Sequence, residues 1–260
     1  MDKIGIIGIG NMGGAIAHGL IKNGRELIIS NKSPEKLSEY EKFKNVEIKK
    51  DNRDVVKDSK YIILAVKPKV YADVIDEVRE VFSEDKILIS IAAGFTLEKL
   101  EKLLPSRKIA MVMPNTPAMV YEGMSGICPN ELLSEDERDE VKNIFNLIGR
   151  AAIISEDSFN AFSAACGSLP AYVYMFIEAA ADGAVLNGLN RRDAYEFIAQ
   201  SVMGSAKMVL ETEKHPGELK DMVTSPGGTT IEGLKVLEER AFRGGIIEAI
   251  NAAVEKSKNM

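Results

Sequence analysis

Three glycines near the amino terminus have the spacing that most directly predicts a chemistry. They lie in the loop Gly8-Ile9-Gly10-Asn11-Met12-Gly13. Glycines spaced in this way permit a tight turn, let backbone approach a pyrophosphate, and let the next helix pack against the preceding strand. An apolar run over residues 3–7 predicts that strand, and apolar residues at helical spacing over 12–20 predict the helix. We therefore expect a dinucleotide site, the alternative being a glycine-rich turn without a ligand.

The segment Ser30-Asn31-Lys32-Ser33 ends the second predicted strand and bears on the choice of dinucleotide. NAD-binding units usually place an Asp or Glu here, about 20 residues past the loop, to bond the ribose 2′-hydroxyl. A hydroxyl, an amide and an ammonium suit a 2′-phosphate instead, so NADP(H) is favoured and NAD(H) is the alternative. A structural interpretation also stays open, in which Ser33 caps a helix starting at Pro34 and Lys32 is a solvated turn residue.

Residues that follow three later strands could complete the same site. Lys67-Pro68 comes after the apolar run 61–66, Ala92-Ala93-Gly94 after the run 87–91, and Asn115 after the strand 108–113. Open α/β sheets bind ligands at the carboxyl ends of their strands. We expect Lys67 near the cofactor and space for a flat group at the small residues. Asn115 supplies a polar group at this edge, or belongs to a plain turn.

The elements that position these residues form two domains. Alternation of β and α patterns up to residue 152 predicts a Rossmann-type, doubly wound sheet of about eight strands. Helical spacing dominates from residue 153 to 260, which predicts a second, all-α domain. So slight a helical domain is expected to bury itself against a second copy.

The loop Thr224-Ser225-Pro226-Gly227-Gly228-Thr229-Thr230 is the most unusual stretch of the second half. Apolar residues at helical spacing follow it, which places the loop at a helix N-terminus. Free N–H groups and the positive end of the helix dipole suit a small carboxylate there. The alternative is that Ser225 or Thr229 merely caps the helix, which explains one hydroxyl but not the whole run.

Composition excludes several classes of protein. The chain has 260 residues, 45% of them hydrophobic, and a net charge of -6 with no long basic run, which argues against a nucleic-acid partner. Glu178 and Asp182 interrupt the most apolar stretch, and the first strand leaves no room for a signal peptide. We expect no membrane partner and a cytoplasmic location.

Cysteine and histidine usage predicts no metal site. Cys128 and Cys166 are far apart and lack neighbouring ligands, so we expect both to be reduced. His18 and His215 lack the partners that a zinc site or a Ser-His-Asp triad needs, and we interpret both as structural or surface residues.

Five segments together resemble pyrroline-5-carboxylate reductase from end to end. They are Asn11-Met12-Gly13, Ala65-Val66-Lys67-Pro68, Asn115-Thr116-Pro117, Gly167-Ser168-Leu169-Pro170-Ala171-Tyr172, and His215-Pro216-Gly217 with the chain up to Thr230. The first is shared by many NAD(P) enzymes, whereas the last two are much more specific. The resemblance implies NAD(P)H-dependent reduction of 1-pyrroline-5-carboxylate to L-proline, the last step of proline biosynthesis. It also implies a homodimer with intertwined C-terminal helices, often assembled into a decamer.

Combined with the patterns above, the resemblance completes the expected site residues. The expected cofactor residues are Gly8, Ile9, Gly10, Asn11, Met12, Gly13, Ser30, Asn31, Lys32, Asn52, Ala65, Val66, Lys67, Pro68, Ala93 and Asn115. The expected substrate residues are Glu213, Ser225, Gly228, Thr229 and Thr230. The chain departs from the family pattern at Cys166 and Leu169, where Ser and Gly are common. Leu169 is expected to narrow the pocket.

The implied reaction asks little of side chains, because a protonated imine is already electrophilic. We expect the Thr230 hydroxyl to act as the catalytic group by bonding the ring nitrogen, while loop N–H groups bind the carboxylate. A β-hydroxyacid dehydrogenase-like enzyme or another cyclic imine reductase is the alternative, with Lys207 as the nearest candidate acid or base in the former. A regulatory protein that keeps the dinucleotide loop without turnover is a third hypothesis.

Overall fold

The computed structural model describes residues 2–259, and its amino-terminal part is built on one eight-stranded sheet. The strands are β1 (Ile4–Ile7), β2 (Leu27–Ser30), β3 (Val46–Ile48), β4 (Tyr61–Leu64), β5 (Ile87–Ser90), β6 (Lys108–Met113), β7 (Gly123–Pro129) and β8 (Gly149–Ile153). They are ordered β3-β2-β1-β4-β5-β6-β7-β8. All neighbours are parallel except β6 and β7.

Four inner strands, β1, β2, β4 and β5, are buried at every residue. Their continuous apolar runs follow from packing on both faces of a parallel sheet. Successive residues of β1 accordingly enter different cores, Ile6 one and Ile7 the other. The predicted doubly wound sheet is confirmed, and β1 sits at the point where the order of connection reverses, so a crevice opens at its carboxyl end.

Six α-helices accompany this sheet. They are α1 (Asn11–Lys22), α2 (Asn52–Asp58), α3 (Tyr71–Val78), α4 (Leu97–Leu103), α5 (Glu135–Asn146) and α6 (Glu156–Phe162). The predicted capping box opens α5, with Ser134 and Glu137 bonded to each other's backbone. A π-helix, Ser163–Gly167, follows α6 directly.

Two details differ from the sequence interpretation. The helix expected over residues 34–43 is instead two short 3₁₀-helices, Pro34–Lys36 and Ser38–Tyr40. Leu37 and Tyr40 are the buried residues there, and their spacing of three fits the 3₁₀ repeat. The sequence pattern over residues 125–128 predicts an additional strand at the edge of the sheet, but these residues belong to β7, which lies inside the sheet with β8 at its edge.

The remaining helices form a second unit. They are α7 (Leu169–Leu186), α8 (Arg191–Thr212), α9 (Pro216–Met222), α10 (Thr229–Glu239) and α11 (Phe242–Lys258). Grouping the residues by their contacts gives two units. The first contains the chain up to Ser168 and again from Val254 onward, and the second is Leu169–Ala253. This division falls later than residue 152 because α6 packs on the sheet, where Phe159 is buried. The domain boundary at 152 stays a prediction.

The second unit buries few apolar side chains within itself. Ala181 of α7 and Ala194 of α8 are buried where the two helices pack, which fits the expected close contact of small residues. Large apolar residues remain exposed along both helices, including Tyr174, Met175, Phe176, Leu186, Phe197, Met203 and Leu210. By length and composition alone, Glu156–Leu186 could cross a membrane, with 6% of its most apolar window buried.

Candidate cofactor and substrate sites

The glycine loop after β1 is closed by contacts that exclude larger side chains. The Gly8 N–H donates to the Ser30 carbonyl at 2.9 Å, and Gly8 has φ +102°, in the left-handed region. A Cβ added at Gly13 would lie 2.1 Å from the Gly8 carbonyl oxygen. The loop therefore folds this tightly only with glycine at both positions.

Gly10 differs, because an added Cβ would meet no protein atom within 4 Å. Gly10 is the N-cap of α1, and no side chain caps this end of the helix. The first N–H groups of α1 are therefore open to an anion, and space beside Gly10 is left for one. This arrangement fits a pyrophosphate.

The loop forms one side of a cleft of about 550 Å³ at the carboxyl ends of β1, β4 and β5. Its lining residues are Gly8, Gly10, Asn11, Met12, Gly13, Asn31, Lys36, Ala65, Val66, Lys67, Pro68, Ile91, Ala92 and Ala93. Most of the expected cofactor residues thus come together. Ile9, Ser30, Lys32, Asn52 and Asn115 were also expected but do not line the cleft.

Both polar atoms of the Asn31 side chain make hydrogen bonds to backbone beside the cleft. Its Oδ1 accepts from the Ile9 N–H at 2.9 Å, and its Nδ2 donates to the Ser33 carbonyl at 2.9 Å. Behind it, the Ser30 hydroxyl donates to Asn52 Oδ1 at 2.7 Å, and Asn52 Nδ2 donates to Glu77 at 2.9 Å. These amides hold the loop and the end of β2 together.

Lys36 is the cleft residue that the sequence interpretation missed most clearly. It lies on the 3₁₀-helix that follows β2 and lines the cleft, whereas the exposed Lys32 does not. Ser33 makes no capping hydrogen bond to that helix. Ile91 and Ala92 were also missed, although the small residues after β5 had indicated space beside them. No sequence pattern distinguishes the two lysines, because the fold of the turn decides between them.

Asn115 lies at the end of β6, where both polar atoms of its side chain bond backbone. Oδ1 accepts from the Met124 N–H at 2.9 Å, and Nδ2 donates to the Cys166 carbonyl at 3.0 Å. The side chain therefore joins the first residues of β7 to the π-helix.

The loop before α10 presents an uncapped helix N-terminus in the second unit. Gly228 is the N-cap and no side chain caps the helix, which is contrary to the alternative in which Ser225 or Thr229 does so. The Gly228 N–H donates to the Ser225 carbonyl at 3.1 Å, and Gly227 has φ +65°. Ser225, Thr229 and Thr230 are exposed. Free N–H groups and hydroxyls therefore stand together, an arrangement suited to a carboxylate.

Glu213 ends α8 in a conformation that glycine usually takes. Its φ is +53°, a left-handed C-cap. Such a conformation costs a non-glycine residue roughly 1 kcal/mol.

The two histidines make local contacts within the protein, and the two cysteines are free, Cys128 buried and Cys166 half-buried. His215 Nδ1 accepts from the Gly217 N–H and caps α9, and His18 stacks on Tyr40 with ring centroids 5.1 Å apart. Burial raises the pKa of Cys128 to about 11 and also raises the pKa of Cys166. Among residues 2–259, no group of three or more His, Cys, Asp or Glu could hold a metal ion.

Comparison with family models divides the chain in a similar way. Residues 156–260 match the pyrroline-5-carboxylate reductase dimerisation family, and residues 3–94 match an NADP oxidoreductase family described as coenzyme F420-dependent. The exposed apolar helices thus fall within a dimerisation region, so the chain forms a homo-oligomer.

Full-length relatives cover both units. Pyrroline-5-carboxylate reductase of Escherichia coli is 46% identical, covering 99% of this chain and 98% of the relative. The Methanosarcina acetivorans enzyme is 41% identical over 100% and 98% of the two chains. The solved Coxiella burnetii reductase is 36% identical with a TM-score of 0.95, covering 99% and 98%. The Plasmodium falciparum enzyme, solved with NADP bound, is 35% identical with a TM-score of 0.86, covering 99% and 97%. The chain belongs to the pyrroline-5-carboxylate reductase family.

Proposed function

We infer that this chain reduces 1-pyrroline-5-carboxylate to L-proline in proline biosynthesis. When bound, NADPH supplies a hydride, and reduction of a protonated imine at carbon needs no further proton at nitrogen. We place the protein in the cytoplasm as a homodimer, with a decamer as the larger assembly that the family resemblance implies.

For the cofactor, the fit rests on the shape and chemistry of the cleft. The N–H groups at the start of α1 and the space beside Gly10 suit the pyrophosphate. Val66 and Lys67 line the cleft next to the glycine loop, and Ala92 and Ala93 leave room for the nicotinamide. Asn31 and Asn52 contribute by holding the glycine loop and the end of β2 in place, since their amides are already bonded to protein.

Selection of NADPH over NADH is assigned to Lys36. The end of β2 carries no carboxylate for a ribose hydroxyl, and Asn31 is bonded to backbone. Two lysines line the cleft, and Lys36 is the one that follows β2, whereas Lys67 follows β4, so we assign the 2′-phosphate to the Lys36 ammonium. Lys36→Ala is expected to lower NADPH affinity about tenfold and leave NADH affinity unchanged. Lys32→Ala is the matched control, and fluorescence titration with both cofactors is the measurement. A larger effect at Lys32 would return the phosphate site to that residue.

For the substrate, we propose that the loop before α10 holds the carboxylate through the backbone N–H groups of Thr229 and Thr230, since the Gly228 N–H already donates to the Ser225 carbonyl. The uncapped end of α10 supports this. The Thr230 hydroxyl is proposed to bond the ring nitrogen and keep it protonated or oriented. Glu213 and Ser225 are proposed to complete the site, with the unusual backbone of Glu213 as support.

The deciding experiment is steady-state oxidation of NADPH by the purified chain. Addition of 1-pyrroline-5-carboxylate should start turnover and yield L-proline, whereas a panel of 2- and 3-hydroxy acids with NADP⁺ should not react. Turnover of a hydroxy acid but not of the imine would favour the β-hydroxyacid dehydrogenase alternative. NADPH binding without turnover of any compound would favour a regulatory protein.

A further inference from the structure

The π-helix that follows α6 lies where one hydrogen bond of a regular α-helix cannot form. An α-helix running through this region would have the Cys166 carbonyl accept from the N–H four residues later, and that residue is Pro170. Proline has no N–H, so the Cys166 carbonyl has no α-helical donor. The chain forms five π-helical residues here, Ser163–Gly167. π-Helical turns occur mostly as single-turn bulges inside α-helices, and they are frequent at functional sites.

Asn115 supplies the donor that is lacking. Its Nδ2 lies 3.0 Å from the Cys166 carbonyl oxygen, while its Oδ1 is held by the Met124 N–H at 2.9 Å. The second bond fixes which way the amide points, so the NH₂ group faces the π-helix. Asn115 is half-buried, so loss of its amide would remove the side-chain donor to the Cys166 carbonyl.

The π-helix reaches the edge of the sheet that carries the cofactor cleft. A Cβ on Gly167 would lie 4.0 Å from Met113, the last residue of β6. Strand β6 pairs with β5, with Ser90 opposite Met111, and Ile91 to Ala93 after β5 line the cleft. The segment around Gly167 therefore contacts the strand next to the one whose end we assign to the nicotinamide.

We propose that Asn115 is a positioning residue, not a cofactor ligand: it fixes the π-helix at the carboxyl end of β6 by donating to the carbonyl that Pro170 leaves without a donor. This rests on the proposed function, because the π-helix then sets the geometry for hydride transfer. The inference replaces the expected cofactor contact at Asn115 with a bond to Cys166.

Kinetics of two variants test this role. Asn115→Ala removes both bonds, and Asn115→Asp keeps the acceptor for Met124 but turns a carboxylate oxygen toward the Cys166 carbonyl. Both should lower kcat tenfold or more, with NADPH dissociation constants within twofold of the parent. Glu122→Gln, an exposed neighbour, is the control with unchanged kcat. Weakening of NADPH binding in proportion to the loss of activity would restore Asn115 as a cofactor ligand and overturn the proposal.

A double-mutant cycle with Pro170→Ala separates this role from general destabilisation. Alanine restores an N–H four residues after Cys166, so Asn115→Ala should cost no more than threefold in kcat in that background. The urea midpoint should respond in the same way, with less than half the shift seen in the parent. Equal effects in both backgrounds would contradict the inference. If the parent does not reduce the imine, the proposed function fails, and the urea cycle still decides whether Asn115 acts through Cys166.

Discussion

Two glycines of the same loop are required for different physical reasons. At Gly13 the obstacle is the protein itself, since a Cβ would lie 2.1 Å from the Gly8 carbonyl oxygen. At Gly10 the surrounding space is open on the protein side, so a methyl group would compete only with a ligand. The two residues therefore separate folding of the loop from binding by it.

Alanine substitutions should reveal this difference. Gly10→Ala should leave the melting temperature within about 2 °C of the parent, because no protein atom is displaced, yet weaken NADPH binding tenfold or more. Gly13→Ala should lower the melting temperature as well, since the loop must move. Thermal melts and NADPH titration are the measurements. Full NADPH affinity in Gly10→Ala would show that the pyrophosphate does not bind beside Gly10.

The Thr230 hydroxyl is expected to matter for chemistry and not for folding, because it is exposed and caps no helix. Thr230→Ala should lower kcat/KM roughly tenfold or more, the value of one lost hydrogen bond of about 1–3 kcal/mol. Thr224→Ala is the matched control, since that hydroxyl donates to the Lys220 carbonyl at 2.6 Å. Wild-type kinetics in Thr230→Ala would remove this residue from the mechanism.

Among the elements, α5 is held to the sheet by an ion pair at its first turn. Lys108 Nζ lies 2.6 Å from Glu137 Oε1, while Glu137 Oε2 accepts from the Ser134 N–H at 3.0 Å. Burial raises the pKa of Glu137, but hydrogen bonds from Lys108 and Ser134 outweigh burial and hold the pKa below its usual 4.5. The charged carboxylate therefore stabilises the folded state.

Glu137→Gln keeps an acceptor for Ser134 and removes the charge. At pH 7 it should lower the free energy of unfolding by about 1–3 kcal/mol, because Lys108 loses its partner. Because the pKa of Glu137 is lower in the folded state than in the unfolded state, its carboxylate stabilises the fold above the unfolded-state pKa. This stabilisation is lost as the pH falls through the folded-state pKa, so the difference in unfolding free energy between parent and variant should shrink below pH 4.5. Urea unfolding at both pH values measures this, with exposed Glu135→Gln as control. A pH-independent difference would contradict the ion-pair account.

Elements with strong periodicity could be predicted from sequence, whereas those decided by tertiary contacts could not. The buried strands could be predicted because a short, continuous apolar run is typical of a strand that is covered on both faces of a parallel sheet. The π-helix has no local signal, since it depends on Pro170 together with Asn115, 51 residues before Cys166. Lys36 was missed for a similar reason: only the folding of residues 34–40 into 3₁₀-turns places it at the cleft.

For the whole molecule, the helical unit is the least self-sufficient part. Ala181 and Ala194 are its fully buried apolar residues among those described, while Met175 is 73% exposed and Met203 56%. Exposed apolar surface on this scale marks an interface, and the match to a dimerisation family agrees. Sequence predicted the need for a partner, because a helical unit this small cannot bury its own apolar residues.

Charge placed on this surface should therefore dissociate the protein. The pair Met175→Lys and Met203→Lys is expected to shift the chain toward monomer and lower activity, since each ammonium would have to be desolvated at the interface. Met119→Lys, at an apolar residue 59% exposed outside the helical unit, should leave the assembly unchanged. Size-exclusion chromatography with light scattering measures both. An intact oligomer in the double variant would place the interface elsewhere.

The nucleotide-binding unit is discontinuous along the chain, and this limits how the molecule can be dissected. Residues from Val254 onward return to it, and Ser257 donates to Asn160 at 2.8 Å. A fragment that stops at Ser168 therefore lacks the end of α11, which belongs to this unit from Val254 onward. Producing the nucleotide-binding unit alone requires deletion of residues 169–253 and a new linker that joins residue 168 to residue 254. In terms of chain connectivity, the helical unit is therefore an insertion into the nucleotide-binding unit.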